Sequence, residues 1–319
     1  MHRQCSVVIV VAAFCACAGR SQLPDAAGDA GRVFDLGNAD SASPIDAGKP
    51  AIRELALLGN SYTRYPQIAV DLPALLSVLR PAATVTPSVL LGAGFNHYLD
   101  FEQQLSDPNL GEWARAVKTT FDDFSSSLRP GGVAILQAQS TESVDRATVD
   151  KFIAGGVKLA NVAYQAGARP VFLMTWPRHP LHAFYKEGVK YEQSANSGTI
   201  DDFEMMLAVL EKRFAELVGK VGDQRPTGAQ APLLLPVGVG FSFVYFNKQQ
   251  QLAACTAANL TLDQLYASDG SHPSPVGVYL AAATIYHFLW QAVPPVNSAI
   301  AGVTVEQQRC LAAIAAEAR

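Results

Sequence analysis

The chain has 319 residues, 49% of them hydrophobic and 16% charged, with a net charge of −4. That composition can fill a sizeable core, and it excludes a wholly disordered chain, a long coiled coil and a charge-driven scaffold. The acidic balance argues against a nucleic-acid-binding surface, and past the first twenty residues no apolar run reaches the ~18 residues that a membrane helix needs.

Residues 1–17 read as an export signal. Arg3 is the positive start, and Ser6–Ala16 is an apolar run too short to cross a bilayer. It ends in Phe14-Cys15-Ala16-Cys17, which resembles the lipobox of bacterial lipoproteins, although Phe14 stands where that motif prefers Leu. The resemblance implies that Cys17 is lipidated and anchors the protein to a membrane of the cell envelope. Ordinary signal cleavage without a lipid is the alternative, and either route exports the protein. Residues 18–50 are small, polar and acidic, as in Pro24-Asp25-Ala26-Ala27-Gly28-Asp29. Such a segment buries too little to offset ordering entropy and reads as a disordered tether. The folded domain is then 51–319. Signal removal leaves Cys17, Cys255 and Cys310. With Cys17 lipidated, Cys255 and Cys310 remain as a disulfide pair, with two buried free thiols as the alternative.

The domain alternates apolar runs with amphipathic stretches. Ile52–Leu58 predicts a strand ending at Gly59, and Tyr65–Leu79 has helical spacing. Ala83–Leu91 is β-branched and apolar, Leu110–Phe121 predicts a helix, and Val133–Leu136 a short buried strand. Ala147–Ala166 predicts a helix and Pro170–Thr175 a strand broken by Trp176-Pro177. A long amphipathic helix follows over Asp201–Val221, then another apolar run at Pro232–Val239. Helices over Pro275–Val293 and Glu306–Ala316 close the chain. About five apolar strands separated by helices predict an α/β fold: a central parallel sheet with helices on both faces. In such sheets ligands sit at the carboxyl ends of the strands, so the chemistry should lie in the loops after Leu58, Leu91, Leu136, Thr175 and Val239.

Neither the G-x-S-x-G elbow, nor a P-loop, nor G-x-G-x-x-G after a strand is present. The first strand instead runs into Gly59-Asn60-Ser61-Tyr62-Thr63. A serine between a strand end and a helix start faces the carboxyl edge, where developing negative charge is favoured. Read alone, Ser61 is equally a helix cap. Near the other end stands Asp269-Gly270-Ser271-His272-Pro273. A serine nucleophile needs a base, and a histidine base needs a carboxylate to fix its tautomer. Asp269 and His272 share one tight loop that can hold both. Read alone, that loop is equally a turn before a Pro-started helix.

Together the two blocks resemble the SGNH/GDSL hydrolases. Gly59-Asn60-Ser61 is similar to their first block, and Asp269-x-x-His272-Pro273, with Gly277 and Tyr279-Leu280-Ala281 behind it, to their last. The resemblance implies a three-layer α/β/α sandwich of SGNH or flavodoxin-like type, with Ser61, His272 and Asp269 as a catalytic triad. It also implies an oxyanion hole built from the Ser61 N–H, a glycine N–H after the second strand and a side-chain amide after the third. Gly94 is chosen over Gly92 for the glycine. The family's Gly-x-Asn-Asp is missing, and the strand ends Leu136-Gln137-Ala138-Gln139-Ser140. This looks like a subgroup with Leu-Gln-x-Gln-Ser and like carbohydrate acetylesterases that use Gln, so Gln137, the better match to that pattern, is favoured to supply the amide, with Gln139 as the alternative.

The implied reaction is hydrolysis of an acyl ester, with a carbohydrate O-deacetylase as the leading form and no metal or organic cofactor. A lipid-directed esterase is the rival among enzymes. From another class, the rival is an inactive, surface-anchored carbohydrate-binding protein, which should have lost one of Ser61, Asp269 or His272. His179 and His182 have a spacing that suits a metal pair, but Pro180 between them argues against a helix. That loop could instead line the pocket with Trp176. His97, beside the glycine loop, reads as a substrate contact or a structural residue, and His287 as a packed one. Phe241, Phe243, Tyr245 and Phe246 read as core or pocket wall.

Overall fold

The computed structural model describes residues 52–65, 71–193 and 196–318. The export signal, the Cys17 site and the tether lie outside the described residues. Five strands, β1 (Glu54–Gly59), β2 (Thr84–Val89), β3 (Val133–Gln137), β4 (Arg169–Leu173) and β7 (Leu233–Leu235), form one parallel sheet in the order β2-β1-β3-β4-β7. A two-stranded antiparallel hairpin, β5 (Lys190–Gln193) and β6 (Asn196–Thr199), stands apart from it.

Alternation along β1 shows why the sheet needs cover on both sides. Leu55 and Leu57 join one core, while Ala56 and Leu58 join the other. All four are buried, as expected of a parallel strand with helices on both faces. The first core is closed by α1 (Leu72–Leu79), α7 (Val237–Tyr245), α8 (Pro275–Trp290) and α9 (Val305–Glu317). The second is closed by α2 (Phe95–Gln104), α3 (Gly111–Ser127), α5 (Val149–Gln165) and α6 (Phe203–Asp223). A short helix, α4 (Ser140–Val144), follows β3. The result is a three-layer α/β/α sandwich.

Helix starts follow local chemistry. Asp71 caps α1 by accepting from Ala74 N–H at 2.8 Å, and Asp202 caps α6 by accepting from Met205 N–H at 2.7 Å. Ser274 caps α8, with Pro275 in the first turn. Within the helical spacing of Tyr65–Leu79, a helix runs over Leu72–Leu79 after the Asp71 cap, and residues 66–70 lie outside the described residues. The apolar run at Pro232–Val239 splits: Pro236, which lacks an N–H for a sheet ladder, ends the three-residue β7, and α7 begins at Val237. Helices α2 and α4 and the hairpin β5–β6 were not predicted. A Cys255–Cys310 disulfide ties a 3₁₀ turn to α9.

Candidate active site

The sheet order places β1 between β2 and β3. The chain leaves β1 for one edge and returns to the other side as β3, so a crevice opens between the loops after these strands. Ser61 lies on the first of those loops and Gln137–Gln139 on the second.

The Ser61 turn is held by its neighbours. A side chain at residue 59 would meet Thr63 Oγ1 at 2.0 Å, so only glycine lets the chain fold back there. Asn60, 1% exposed, binds three loops at once. Its Nδ2 donates to Ala93 O at 2.8 Å, and its Oδ1 accepts from Tyr62 N–H and from Gln137 Nε2, both at 3.0 Å. Its backbone N–H donates to Gln137 Oε1, which Thr63 Oγ1 also reaches. Ser61 itself is half-buried, and its Oγ makes no hydrogen bond to a described residue.

The last block comes to the same edge. Asp269 Oδ2 accepts from His272 Nδ1 at 2.6 Å and from Tyr65 OH at 3.1 Å. Asp269 Oδ1 accepts from the N–H groups of Ser271 and His272, both at 2.9 Å. Burial works against the carboxylate's charge, but these donors outweigh it and hold Asp269 well below the usual carboxylate range. Gly270, at φ +67°, makes the turn that allows this wrapping.

Tyr62, the residue after Ser61, joins the two blocks. Its hydroxyl lies 3.2 Å from Ser271 Oγ and 2.9 Å from Ser140 Oγ, and its ring centroid is 5.4 Å from that of His272. The Tyr65 ring stacks on His272 at 4.0 Å. With Nδ1 taken by Asp269, the imidazole turns Nε2 away from that carboxylate. Ser61 Oγ and His272 Nε2 share no hydrogen bond.

The expected oxyanion donors are placed unequally. The Ser61 N–H has no described acceptor. The Gly94 N–H is engaged, donating to His97 Nδ1 at 2.9 Å. Burial pulls the His97 ring below its ordinary titration range, so it is a neutral acceptor there, and its role is to cap this loop. Gln137 is 3% exposed, and its Nε2 donates to both Asn60 Oδ1 and Ala138 O at 3.0 Å. Both of its amide hydrogens are therefore spent on the Ser61 turn. Gln139 is half-buried, and its Nε2 donates to no described residue.

Glu142, unremarked in the sequence, ties these loops together. Only 3% exposed, it accepts from Phe95 N–H at 2.7 Å, Asn96 N–H at 3.2 Å and Gln139 N–H at 3.1 Å. Burial pushes its carboxyl up to about 7, against the pull of those three donors. A side chain at residue 94 would meet Glu142 Oε2 at 2.3 Å, which reserves that position for glycine. The available signal was the Gln139-x-x-Glu142 spacing of a helix start.

The loop after β4 backs the site. Trp176 is 2% exposed, stacks on Phe241 at 4.7 Å and donates from Nε1 to Ser271 O at 3.1 Å, so it is scaffold rather than pocket wall. His179 Nε2 lies 2.8 Å from Asp263 Oδ1, and His182 Nδ1 accepts from Phe184 N–H at 3.0 Å. Phe241 is core, while Phe246 is 42% exposed.

No family model and no curated protein matches the chain. Among solved structures, it is similar to a DUF4886 family protein from Bacteroides uniformis, with a TM-score of 0.53 and 14% identity over 84% of this chain and 95% of that one. A second, assigned provisionally to the SGNH hydrolases and from Slackia heliotrinireducens, has a TM-score of 0.44 and 24% identity over 73% of this chain and 96% of the other. What is shared is the fold.

Proposed function

We infer that the protein is a serine esterase of the SGNH type. The observation that carries this reading is the Asp269–His272 pair, whose loop is fastened to Tyr62, the residue after Ser61, at the sheet's carboxyl edge. Ser61 Oγ attacks the carbonyl carbon of an acyl ester and gives its proton to His272 Nε2. Asp269 fixes the tautomer through Nδ1–H and stabilises the imidazolium. The carbonyl oxygen becomes an oxyanion held by the Ser61 N–H and the Gln139 amide, and by the Gly94 N–H when His97 yields it. Each such donor contributes about 3 kcal/mol to the barrier. The ester C–O bond then breaks, and the leaving alcohol takes the proton from His272. Water attacks the acyl-Ser61 carbonyl carbon, passing its proton to His272; the acyl C–Oγ bond then breaks, His272 returns the proton to Ser61 Oγ, and the carboxylic acid leaves.

Gln139 is favoured over Gln137 because its amide hydrogens are free while those of Gln137 are not. The substrate is an acyl ester, and an O-acetylated carbohydrate is the form the glutamine pattern suggests. The same reading places the protein outside the cytoplasm, anchored through Cys17. The test is hydrolysis of p-nitrophenyl acetate and of a longer-chain ester by the full-length protein and by Ser61→Ala, with fluorophosphonate labelling alongside. Turnover and labelling that vanish in Ser61→Ala are expected. Neither turnover nor labelling in wild type would end the esterase reading, and activity surviving in Ser61→Ala would move the nucleophile elsewhere.

A further inference from the structure

Arg178 is a half-buried cation beside Tyr62 at this site, and no described residue forms an ion pair with it. Its place is fixed. Its backbone N–H donates to Met206 Sδ at 3.3 Å, and its carbonyl accepts from Tyr185 OH at 2.6 Å. The next residue, His179, donates its N–H to Gly270 O at 2.8 Å, which fastens this loop to the one carrying Asp269 and His272. The guanidinium carbon stands 5.7 Å from the ring centroid of Tyr62, the residue after Ser61.

The hydrogen-bonding state bears on what it binds. Nε is buried and has no partner, and no N–H of this guanidinium meets an acceptor among the described residues. Arg169 Nε donates to Ala231 O at 2.7 Å, and Arg213 pairs with Glu216 at 2.8 Å, whereas Arg80 shares the state of Arg178, with a buried Nε that has no partner and a guanidinium carbon 5.6 Å from the Trp290 ring centroid, so what sets Arg178 apart is its place beside Tyr62. The Tyr62 ring face attracts the positive charge, but it offers nothing to the in-plane N–H donors. The acids that act on the neighbouring Tyr185 and His182, Asp202 and Glu187, form no ion pair with Arg178. Burial raises Tyr185 and Tyr266, which keeps both neutral. Burial, then Arg178 itself, lowers His182. The Asp269 oxygens are occupied by His272, Tyr65 and two backbone N–H groups. A buried donor without an acceptor is unfavourable, and beside the Ser61 and His272 blocks a ligand is the group in a position to supply the acceptor.

We propose that Arg178 binds a carboxylate carried by the ester substrate. A guanidinium fork matches a carboxylate with two parallel hydrogen bonds, which no neutral ester can reproduce. The substrate class is thereby narrowed to esters of acidic molecules, with the carboxylate on either the acyl or the alcohol side. This rests on the esterase reading, and the experiment separates the two.

The full-length protein is assayed with 4-acetoxybenzoate against its methyl ester, and with p-nitrophenyl hemisuccinate against p-nitrophenyl butyrate. Wild type should prefer at least one charged ester by ~10-fold or more in kcat/KM, Arg178→Lys should keep part of that ratio, and Arg178→Gln should abolish it. A wild-type ratio near one for both pairs, or a ratio unchanged in Arg178→Gln, overturns the proposal. If neutral esters turn over in a Ser61-dependent way without any charge preference, only this proposal fails and the esterase reading stands. Binding of benzoate against benzamide, followed by calorimetry, reads the anion site without turnover. Tighter benzoate binding, weakened in Arg178→Gln or in Arg178→Lys should the first variant not fold, is expected. Equal binding of the two compounds overturns the proposal even if the esterase reading has failed.

Discussion

Replacing Glu142 by glutamine should flatten the pH dependence of stability. Burial pushes this carboxyl up to about 7 in the folded chain, against an ordinary value of 4.5. A carboxyl that keeps its proton to higher pH when folded stabilises the fold fully below the unfolded value, and that contribution is lost as pH rises towards 7. Between about pH 5 and about pH 7.5 the group should therefore withdraw about 2 kcal/mol of stability. Glutamine does not titrate. Its Oε1 can still accept from the N–H groups of Phe95 and Gln139, which both reach Glu142 Oε1, but its Nε2 faces the Asn96 N–H that Glu142 Oε2 accepted. That lost bond costs about 1–3 kcal/mol at the lower pH, where the wild-type carboxyl is at its best. Urea unfolding of both proteins at the two pH values gives four free energies. The wild type should lose about 2 kcal/mol more than Glu142→Gln on going from the lower to the higher pH. Equal losses, within ~0.5 kcal/mol, would refute the burial argument.

Three further outcomes follow from the same geometry. Asp269→Asn should lower kcat by ~10³–10⁴ with an unchanged circular dichroism spectrum, because the amide cannot hold the His272 tautomer; a loss under tenfold would remove Asp269 from the triad. Gly94→Ala should destabilise the protein by about 1–3 kcal/mol, since its Cβ has no room beside Glu142 Oε2, and thermal unfolding checks it against a neutral result. Replacing both Cys255 and Cys310 by alanine opens a bridge of sequence separation 55, which should remove about 4 kcal/mol and lower Tm by on the order of 8 °C, the control being that a reducing agent shifts wild type but not the variant.

The sheet was legible because its inner strands β1, β3 and β4 are buried on both faces, so Leu55–Leu58 and Val133–Leu136 stand out as unbroken apolar runs. Asp269 and His272 were legible because their contact is local, across three residues. The pairing of Cys255 with Cys310 was left open, since separation in sequence says nothing about distance in space. The choice between Gln137 and Gln139 was out of reach for a similar reason. Both have the same parity after one strand, and what distinguishes them is Asn60, 77 residues before Gln137. Helix α7 was hidden because Val237-Gly238-Val239-Gly240-Phe241 is apolar throughout, which suits a buried strand and a buried helix alike. Glu142 gave no warning, since the backbone N–H groups it satisfies come mostly from a segment 46–47 residues away.

His272 is restrained at its face by Tyr65, near its edge by Tyr62 and at Nδ1 by Asp269. A half-turn of the imidazole, which in solution freely exchanges its two nitrogens, would here break the Asp269 bond and drag the ring across a tyrosine lying 4.0 Å away. The two nitrogens thus cease to be interchangeable. One is permanently the inner atom and the other permanently the outer, so every proton passed to this residue must enter and leave by the same door.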